Sequence, residues 1–370
     1  MASDTRALRE LPRVTIGPPE RLTRFLLSAG SSALVILAVL GAEVLARWCA
    51  PNYLMQTRGL HVFSDTYGWV PRQGTSAVID GKRVTFNSAG YRGRELALPK
   101  TRDRTRVVVL GDSIAFGLEV SDDETFTHLL DTRESGIEAG NLAVQGYGPD
   151  QELIVLANEG LRLDPDAVVL AFCLANDFAE AVLPVSLYDG KSPKPRFRLE
   201  GDRLVLDDSN LRQAAWRRGV QWLSDYSHLF NRTAALGSPS ESEAFPWRDL
   251  KREALGDQEY TLRLNVAIVR SMDVACRQRG ITFILAAFPN ATYYETKPTL
   301  ARRFLDSVQA EGVTAVDMAE RFVALGQPFE AVSLDAVGHL SPVGHAIASR
   351  VLEREIASRT RRPIATLRNH

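Results

Sequence analysis

Five short apolar runs alternate with helical patterns from residue 105 onward, and this alternation most constrains how the chain can fold. The apolar runs are 106–110, 137–144, 166–172, 281–288 and 313–318, and the helical patterns cover about 150–162, 258–279, 298–311 and 341–358. Continuous apolar runs are typical of strands that are buried on both faces of a parallel sheet. Strands that alternate with helices predict a three-layer α/β sandwich with right-handed crossovers.

A second apolar segment, near the N-terminus, has the length of a membrane span. Residues 25–42 carry no charge, and the apolar character continues to Ala46 past Glu43. At about 1.5 Å per residue, residues 25–46 would extend roughly 33 Å, enough to cross a bilayer core of about 30 Å. The arginines that precede this segment outnumber those that follow it closely. They are Arg6, Arg9, Arg13, Arg21 and Arg24 before it, and Arg47 and Arg58 after it.

This asymmetry predicts a single-pass protein of the inner (cytoplasmic) membrane, with its N-terminus in the cytoplasm and the rest periplasmic or extracellular. A buried core helix is disfavoured because such helices are usually shorter. A cleaved signal peptide, with Val44-Leu45-Ala46 as the cleavage site, is the alternative. The long region before the apolar segment favours an uncleaved anchor. In both cases the remaining chain works outside the cytoplasm.

Composition excludes several classes of function. The 44 basic and 45 acidic residues leave a net charge of -1, whereas a duplex nucleic-acid binder normally needs a basic excess. We therefore predict no nucleic-acid partner. Cys49, Cys173 and Cys276 lie too far apart in sequence for a zinc knuckle or a CxxC pair. Cys173 and Cys276 are expected to pack in the core, and we predict neither a metal site nor a cofactor.

The patterns divide the chain into five regions. These are a basic arm (1–24), the anchor (25–46), a strand-bearing segment (50–104), the α/β domain (105–358) and a basic tail (359–370). A cap-like insertion, about 184–256, interrupts the α/β alternation and contains a predicted hairpin around Glu200-Gly201-Asp202. After the hairpin, Trp222, Tyr226 and Phe230 recur at the spacing of one helical face. They could stack on sugar rings or, alternatively, pack the insertion onto the core.

The motif most relevant to chemistry is GDSIAFG, residues 111–117, directly after the first buried strand. A serine at such a strand-to-helix turn lies near backbone N–H groups that favour developing negative charge. A lone GDS triplet is usually only a turn. In LDAVGHLSPVGH, His339 could act as a base for Ser113, and Asp335 could orient its imidazole. Ser341 and Pro342 predict the start of a final helix, so His339 precedes that helix and His345 lies within it.

These motifs resemble the four blocks of the SGNH (GDSL-like) hydrolase family, over about residues 105–358. GDSIAFG resembles the first block, NLAVQGYG (141–148) the second, LAND (174–177) the third and LDAVGH (334–339) the fourth. The anchor, FNSAGYRG (86–93) and GLEVSDDETF (117–126) narrow the likeness to membrane-anchored members associated with envelope polysaccharides. The resemblance implies a five-stranded, flavodoxin-like parallel sheet.

The resemblance also implies a role for each site residue. Ser113 would be the nucleophile, His339 the base and Asp335 the acid. The oxyanion hole would combine the N–H groups of Ser113 and Gly146 with the side-chain amide of Asn176. Two positions depart from the family pattern: Leu174 replaces a glycine, and Gly338 lengthens the usual DxxH spacing to DxxxH.

The predicted function is therefore a serine-dependent O-acyl, and more narrowly O-acetyl, esterase or acyltransferase acting on an envelope or extracellular polysaccharide. Its partners would be an O-acylated glycan, the membrane and proteins of polysaccharide assembly. Two alternatives remain open at this point. One is a lipid or lysophospholipid esterase. The other is a catalytically silent, membrane-tethered subunit that binds glycan or scaffolds an assembly complex, which the DxxxH spacing would favour.

The arginine asymmetry makes a prediction about topology. A C-terminal reporter that works only outside the cytoplasm should be active, because the chain after Arg47 is expected outside. Protease added to spheroplasts should digest this part of the chain and spare the N-terminal arm. A large fragment that stays protected until the membrane is permeabilised would contradict the topology.

Overall fold

The computed structural model describes residues 18–49, 60–79, 81–131, 135–237 and 247–360. Most of the predicted basic arm (1–24) and basic tail (359–370) lies outside these residues, as does the first part of segment 50–104. The described residues fall into two compact units. One combines the N-terminal helix with residues 219–237, and the other contains the remaining residues from Leu60 onward.

The larger unit is an α/β domain built on a five-stranded sheet. Its strands are β5 (Thr105–Gly111), β6 (Ile137–Asn141), β7 (Ala167–Cys173), β10 (Thr282–Phe288) and β11 (Ala315–Asp317). Their order is β6-β5-β7-β10-β11, and every neighbouring pair is parallel. This order, with the first strand between the second and the third, confirms the predicted flavodoxin-like sheet. The winding reverses at β5, so a crevice opens beyond the carboxyl ends of β5 and β7.

Apolar side chains alternate between the two faces of this sheet. On β5, Val108 and Leu110 join one hydrophobic cluster, while Val107 and Val109 join the other. The first face is covered by α4 (Pro149–Asn158), α10 (Gln258–Arg277) and α12 (Thr299–Ala310). The second is covered by α3 (Phe126–Leu130), α13 (Met318–Ala324) and α15 (Pro342–Arg359). These are the three predicted layers, and helices on both faces bury β5, β6 and β7 completely, while the edge strand β11 is partly exposed.

Short elements complete the domain. The short helices are α2 (Ser113–Phe116), α5 (Asp177–Glu180), α6 (Ser209–Gln213), α9 (Trp247–Ala254), α11 (Ala291–Thr296) and α14 (Phe329–Val332). The 3-10 turns are Asp122–Glu124 and Gly160–Leu163. Three antiparallel hairpins pair β1 (His61–Ser64) with β2 (Gly68–Pro71), β3 (Ser76–Ile79) with β4 (Lys82–Thr85), and β8 (Arg196–Glu200) with β9 (Arg203–Asp207). The last is the hairpin predicted around Gly201.

The smaller unit contains α1 (Pro18–Cys49), which includes the predicted anchor. Its residues Arg21–Cys49 are long and apolar enough to cross a membrane, with a mean hydropathy of 2.2 over an 18-residue window, and this helix is a candidate membrane span or signal sequence. Glu43, the one acidic residue in the apolar segment, accepts hydrogen bonds from Ser227 Oγ (2.8 Å) and from the N–H groups of His228 (3.0 Å) and Leu229 (2.9 Å). It thereby caps the N-terminus of α8 (His228–Gly237).

This capped helix corrects one sequence expectation. Helix α7 (Arg217–Tyr226) ends before Ser227, so Trp222 and Tyr226 lie on a different helix from Phe230. Trp222 and Tyr226 are 61% and 56% exposed, and their rings lie 5.8 Å apart. The spacing of the three aromatics therefore does not mark one helical face. The break occurs because Ser227 and the following N–H groups bond to Glu43, a contact between segments far apart in sequence.

Candidate active site

Three predicted site residues form a continuous chain of hydrogen bonds. The Nε2 atom of His339 lies 2.9 Å from Ser113 Oγ, and its Nδ1 atom lies 2.7 Å from Asp335 Oδ2. With Nδ1–H donating to the carboxylate, Nε2 is free to accept the proton of the serine hydroxyl. Both distances lie within the range expected for a nucleophile, a base and an orienting acid.

The DxxxH spacing is accommodated by the turn that joins Asp335 to His339. Asp335 Oδ1 accepts hydrogen bonds from the N–H groups of Gly338 (2.9 Å) and His339 (3.1 Å). Gly338 adopts a φ of 108°, which L side chains rarely adopt, and a Cβ at this position would lie 2.3 Å from the carbonyl oxygen of Pro289. The extra residue is thus absorbed in a turn that requires glycine, and the carboxylate still reaches the imidazole.

Ser113, the predicted nucleophile, is held by a tight turn at the end of β5. The side chain of Asp112 accepts a hydrogen bond from the N–H of Ile114 (2.8 Å) and caps α2. At the other end of α2, the buried Arg92 guanidinium donates to the carbonyl oxygens of Phe116 (2.9 Å) and Val120 (2.7 Å). Both ends of this short helix are therefore fixed by buried side chains, and Arg92 gives the FNSAGYRG segment a structural role.

The predicted oxyanion donors differ in what surrounds them. Gly146 lines the same cavity as Ser113, and its φ of 74° lies in the left-handed region. Asn176 is buried, and its Nδ2 donates to Asp112 Oδ2 at 3.1 Å. An amide nitrogen carries two N–H bonds, and among the described residues none accepts the second one. Leu174, at the start of the third sequence block, is buried, and its N–H donates to the carbonyl of Phe288 (3.0 Å).

A cavity of about 370 Å³ opens over the serine. It is lined by residues from several segments: His61, Trp69, Ser113, Leu118, Gln145, Gly146, Ser186, Tyr188, Asp189, Ser192 and His339. Two of these segments, the β1–β2 hairpin and residues 186–192, lie outside the four sequence blocks. The sequence analysis missed them, since neither carries a motif and both reach the site only through contacts distant in sequence.

Neighbouring groups keep the carboxyl group of Asp335 ionised. Burial alone would raise the pKa of Asp335, but the nearby His339 and the N–H groups of Gly338 and His339 outweigh burial and lower it. Asp335 therefore remains a carboxylate at neutral pH, the form that accepts the Nδ1 proton and stabilises a charged imidazolium.

His345 packs in the core of the domain and forms no hydrogen bond with Ser113. It is buried in α15, stacks on Phe126 with ring centroids 5.7 Å apart, and accepts the Phe126 N–H at Nδ1 (3.1 Å). Ser341 Oγ accepts the N–H of Gly344 (3.1 Å) and so caps α15, as the sequence predicts. His339 stands before this cap, in the loop that faces Ser113.

Glu119 was also missed by the sequence analysis. It adopts a φ of 68°, and one oxygen of its carboxylate lies within 4.8 Å of one ligand atom each of Asp335 and His339. This spacing could suit a cation. However, both ring nitrogens of His339 are already engaged, with Asp335 and Ser113, so an ion bound to either nitrogen would compete with that chain of hydrogen bonds.

Comparisons with known proteins find similarity to this chain only among solved structures. No family model and no curated protein matches the chain. A GDSL-like lipase from Bacteroides thetaiotaomicron is 14% identical, with 71% of this chain and 92% of that chain covered and a TM-score of 0.38. A lipase/acylhydrolase from Enterococcus faecalis is 16% identical, with 70% and 98% covered and a TM-score of 0.38.

A third solved structure is a variant of an acetyl xylan esterase from Geobacillus stearothermophilus. It is 15% identical, 72% of this chain and 97% of that chain are covered, and the TM-score is 0.38.

The turn at Gly338 makes a prediction. Gly338→Ala should reduce turnover at least about tenfold and cost about 1–3 kcal/mol of unfolding free energy, because the new Cβ would collide with the Pro289 carbonyl and displace the turn. The matched control is Gly326→Ala, since Gly326 has a φ of 69° but no atom within 4 Å of an added Cβ. This control should lose a similar or smaller amount of stability and keep its activity. Equal turnover in the two variants would contradict the account.

His345 makes a prediction about stability and pH. Burial lowers its pKa to about 3 from an ordinary 6.5, so the unfolded chain binds the proton more readily than the folded one between these values. The free energy of unfolding should therefore fall as pH falls from about 6.5, with this residue contributing at most ~1.4 kcal/mol per pH unit.

Urea unfolding in detergent at pH 5 and pH 7 tests this expectation. His345→Gln should flatten the pH dependence, while His128→Gln, at an exposed histidine, should leave it unchanged. A slope that is identical in the wild type and the His345 variant would show that the imidazole is not held neutral.

Proposed function

We propose that this chain is a serine-dependent O-acyl esterase or acyltransferase of the SGNH type. The observation that carries the proposal is the hydrogen-bonded series Asp335–His339–Ser113 at the wall of a cavity. A buried serine that only stabilised a turn would not need an imidazole on its hydroxyl and a carboxylate on that imidazole. Such a series is the arrangement that makes a serine nucleophilic.

The reaction would proceed in two steps. Ser113 Oγ attacks the carbonyl carbon of the ester while His339 Nε2 takes the hydroxyl proton, and Asp335 stabilises the resulting imidazolium. The tetrahedral oxyanion would be held by the N–H groups of Ser113 and Gly146 and by the Asn176 amide. When this intermediate collapses, His339 returns the proton to the departing alcohol and leaves an acyl group on Ser113.

In the second step the acyl group moves from Ser113 to an acceptor. His339 removes a proton from the acceptor, the acceptor oxygen attacks the acyl carbon, and the proton then returns to Ser113. If the acceptor is water the product is a free acid, and if it is a sugar hydroxyl the product is a new ester. The chemistry at the serine is the same, so access of water to the cavity would decide between hydrolysis and transfer.

We further propose that the substrate is an acylated, and specifically acetylated, polysaccharide outside the cytoplasm, with α1 as an uncleaved anchor in the cytoplasmic membrane. The apolar length of α1 and the arginine asymmetry support the anchor. Neutral polar groups and two aromatic rings around the cavity support a sugar. The geometry of the DxxxH turn removes the main argument for a catalytically silent scaffold, since Asp335 still bonds to His339.

The proposal predicts a set of variant activities. The full chain in detergent should react with a fluorophosphonate probe and hydrolyse 4-nitrophenyl acetate. Ser113→Ala should abolish both, and His339→Ala should abolish hydrolysis, whereas His345→Gln should keep most of it. Asn176→Ala should slow turnover by about 10²-fold, the usual cost of one oxyanion donor.

Thermal unfolding of each variant provides the control, since Ser113→Ala and His339→Ala should unfold near the wild-type temperature. Probe labelling that survives Ser113→Ala would remove Ser113 from the mechanism. A fully active His339→Ala variant would remove the proposed base.

A further inference from the structure

A histidine outside the proposed catalytic series lies in the wall of the same cavity. His61, the first residue of β1, lines the cavity together with Ser113 and His339. Its Nε2 atom is enclosed and has no hydrogen-bond partner among the described residues. Buried polar atoms are usually paired, so the unpaired Nε2 atom of a residue that lines a ligand-sized cavity points to a partner on a bound molecule, which a rotation of the imidazole toward the cavity would bring within reach.

The hairpin that carries His61 is fixed in place. Tyr67, in its turn, donates from its hydroxyl to Glu159 Oε1 (2.6 Å), and the Tyr67 carbonyl accepts from Gln151 Nε2 (2.7 Å). Gly68 lies so close to the next segment that an added Cβ would be 2.4 Å from the Pro193 carbonyl oxygen. The hairpin is thus a fixed wall, and the backbone of His61 is in position before any ligand arrives.

Two aromatic rings stand beside the predicted oxyanion donor. A Cβ built on Gly146 would lie 3.4 Å from Tyr188 Cδ2 and 3.6 Å from Trp69 Cζ2. Trp69 is anchored through its ring N–H, which donates to the carbonyl of Gln145 at 3.0 Å. Tyr188 is about half exposed, at 47%, so part of its ring remains available for contact. If the carbonyl of a bound ester lay at this donor, the two rings would contact the alcohol part of the substrate, to which the acyl group is attached.

The polar part of the lining is almost uncharged. Beyond Ser113 and the histidines it consists of Gln145, Ser186, Ser192 and one acid, Asp189. Asp189 Oδ1 already accepts the N–H groups of Lys191 and Ser192, both at 2.8 Å. No lysine or arginine lines the cavity in the part of the chain that the structure describes. A phosphate or a uronate would find no cation here, whereas a neutral hydroxylated ring would find both donors and acceptors.

We propose that His61 is a substrate-binding residue that hydrogen-bonds a hydroxyl of a neutral sugar, whose ring contacts Trp69 and Tyr188 while its acyl group reaches Ser113. This inference rests on the proposed function, since it concerns the alcohol side of the same ester. Burial lowers the pKa of His61 to about 4, so its ring is neutral at neutral pH and offers one donor and one acceptor. A hydroxyl group is the natural complement of such a ring because it can both accept and donate.

The test compares two esters that share the acyl group and differ in the alcohol. These are 4-nitrophenyl acetate and an acetylated cello-oligosaccharide, each assayed with the full chain in detergent. His61→Ala should raise KM for the oligosaccharide ester and so lower its kcat/KM about tenfold. This loss is the upper end of what one net hydrogen bond contributes to binding. It should change kcat/KM for 4-nitrophenyl acetate less than about twofold. His61→Asn, which keeps a donor and an acceptor, should fall between His61→Ala and the wild type.

His128→Ala is the matched control, since His128 is exposed and does not line this cavity. It should leave both reactions unchanged. An equal loss on both esters in His61→Ala would mean that His61 supports the catalytic series instead of the sugar. No loss on either, or a wild-type enzyme active on 4-nitrophenyl acetate alone, would overturn the sugar site.

A binding measurement separates this inference from the proposed reaction. Calorimetric titration of unacetylated cello-oligosaccharide into the Ser113→Ala chain needs no turnover. Binding at millimolar concentration or tighter, weakened about tenfold by His61→Ala, would support the site even if the esterase assays fail. Absence of binding to an otherwise folded chain would overturn the site, even if fluorophosphonate labelling of Ser113 succeeds.

Discussion

The buried carboxylate of Asp112 is the contact on which the candidate site depends. It accepts the N–H of Ile114 at the start of α2 and the side-chain amide of Asn176 at 3.1 Å, and its Oδ2 lies 3.4 Å from Ser113 Oγ, whose one proton points to His339. Asp112 follows β5 and Asn176 follows β7, so one side chain ties together the ends of two neighbouring strands. It thereby fixes the predicted oxyanion donor relative to the nucleophile, although it takes no part in the proposed proton transfers.

A layer of further buried acids lies around this contact. Glu152, Asp177 and Glu180 are almost completely buried, and at least one carboxylate oxygen of each has no partner among the described residues. Burial raises the pKa of all three, and the negative charge of Asp112 raises it further, so that the pKa of Glu180 reaches about 8. Glu180 is thus mainly protonated at neutral pH, and Asp150 is neutralised by its ion pair with Lys194. Protonation and pairing together limit the negative charge that Asp112 faces.

The sequence predicted the parts of the structure that depend on local pattern. Strands β5, β7 and β10 are recognisable because almost all of their residues are buried on both faces and they read as apolar runs. Helix α15 is recognisable because Ser341 and Pro342 form a local start signal. Ser113, Asn176 and His339 follow from motifs at the ends of these elements, since parallel strands bring their carboxyl ends to one edge.

Contacts between distant segments were not predictable in the same way. The β1–β2 hairpin reads as part of a connecting segment, and it becomes a wall of the cavity through contacts such as the bonds of Tyr67 to Glu159 and Gln151. Glu43 looks like an interruption of an apolar segment, but it caps a helix that begins 185 residues later. In each case the contact depends on a single polar side chain, and no periodic pattern in the sequence marks that residue.

The fourth block shows how far a motif spacing constrains chemistry. A base and its acid need a given distance between imidazole and carboxylate, and the number of residues between them matters only through the turn that sets this distance. Here the carboxylate binds the backbone N–H groups of its own turn through Oδ1 and the imidazole through Oδ2. One carboxylate therefore shapes the turn and orients the base at once. An added residue is tolerated where it can take a positive φ, and Gly338 is that residue.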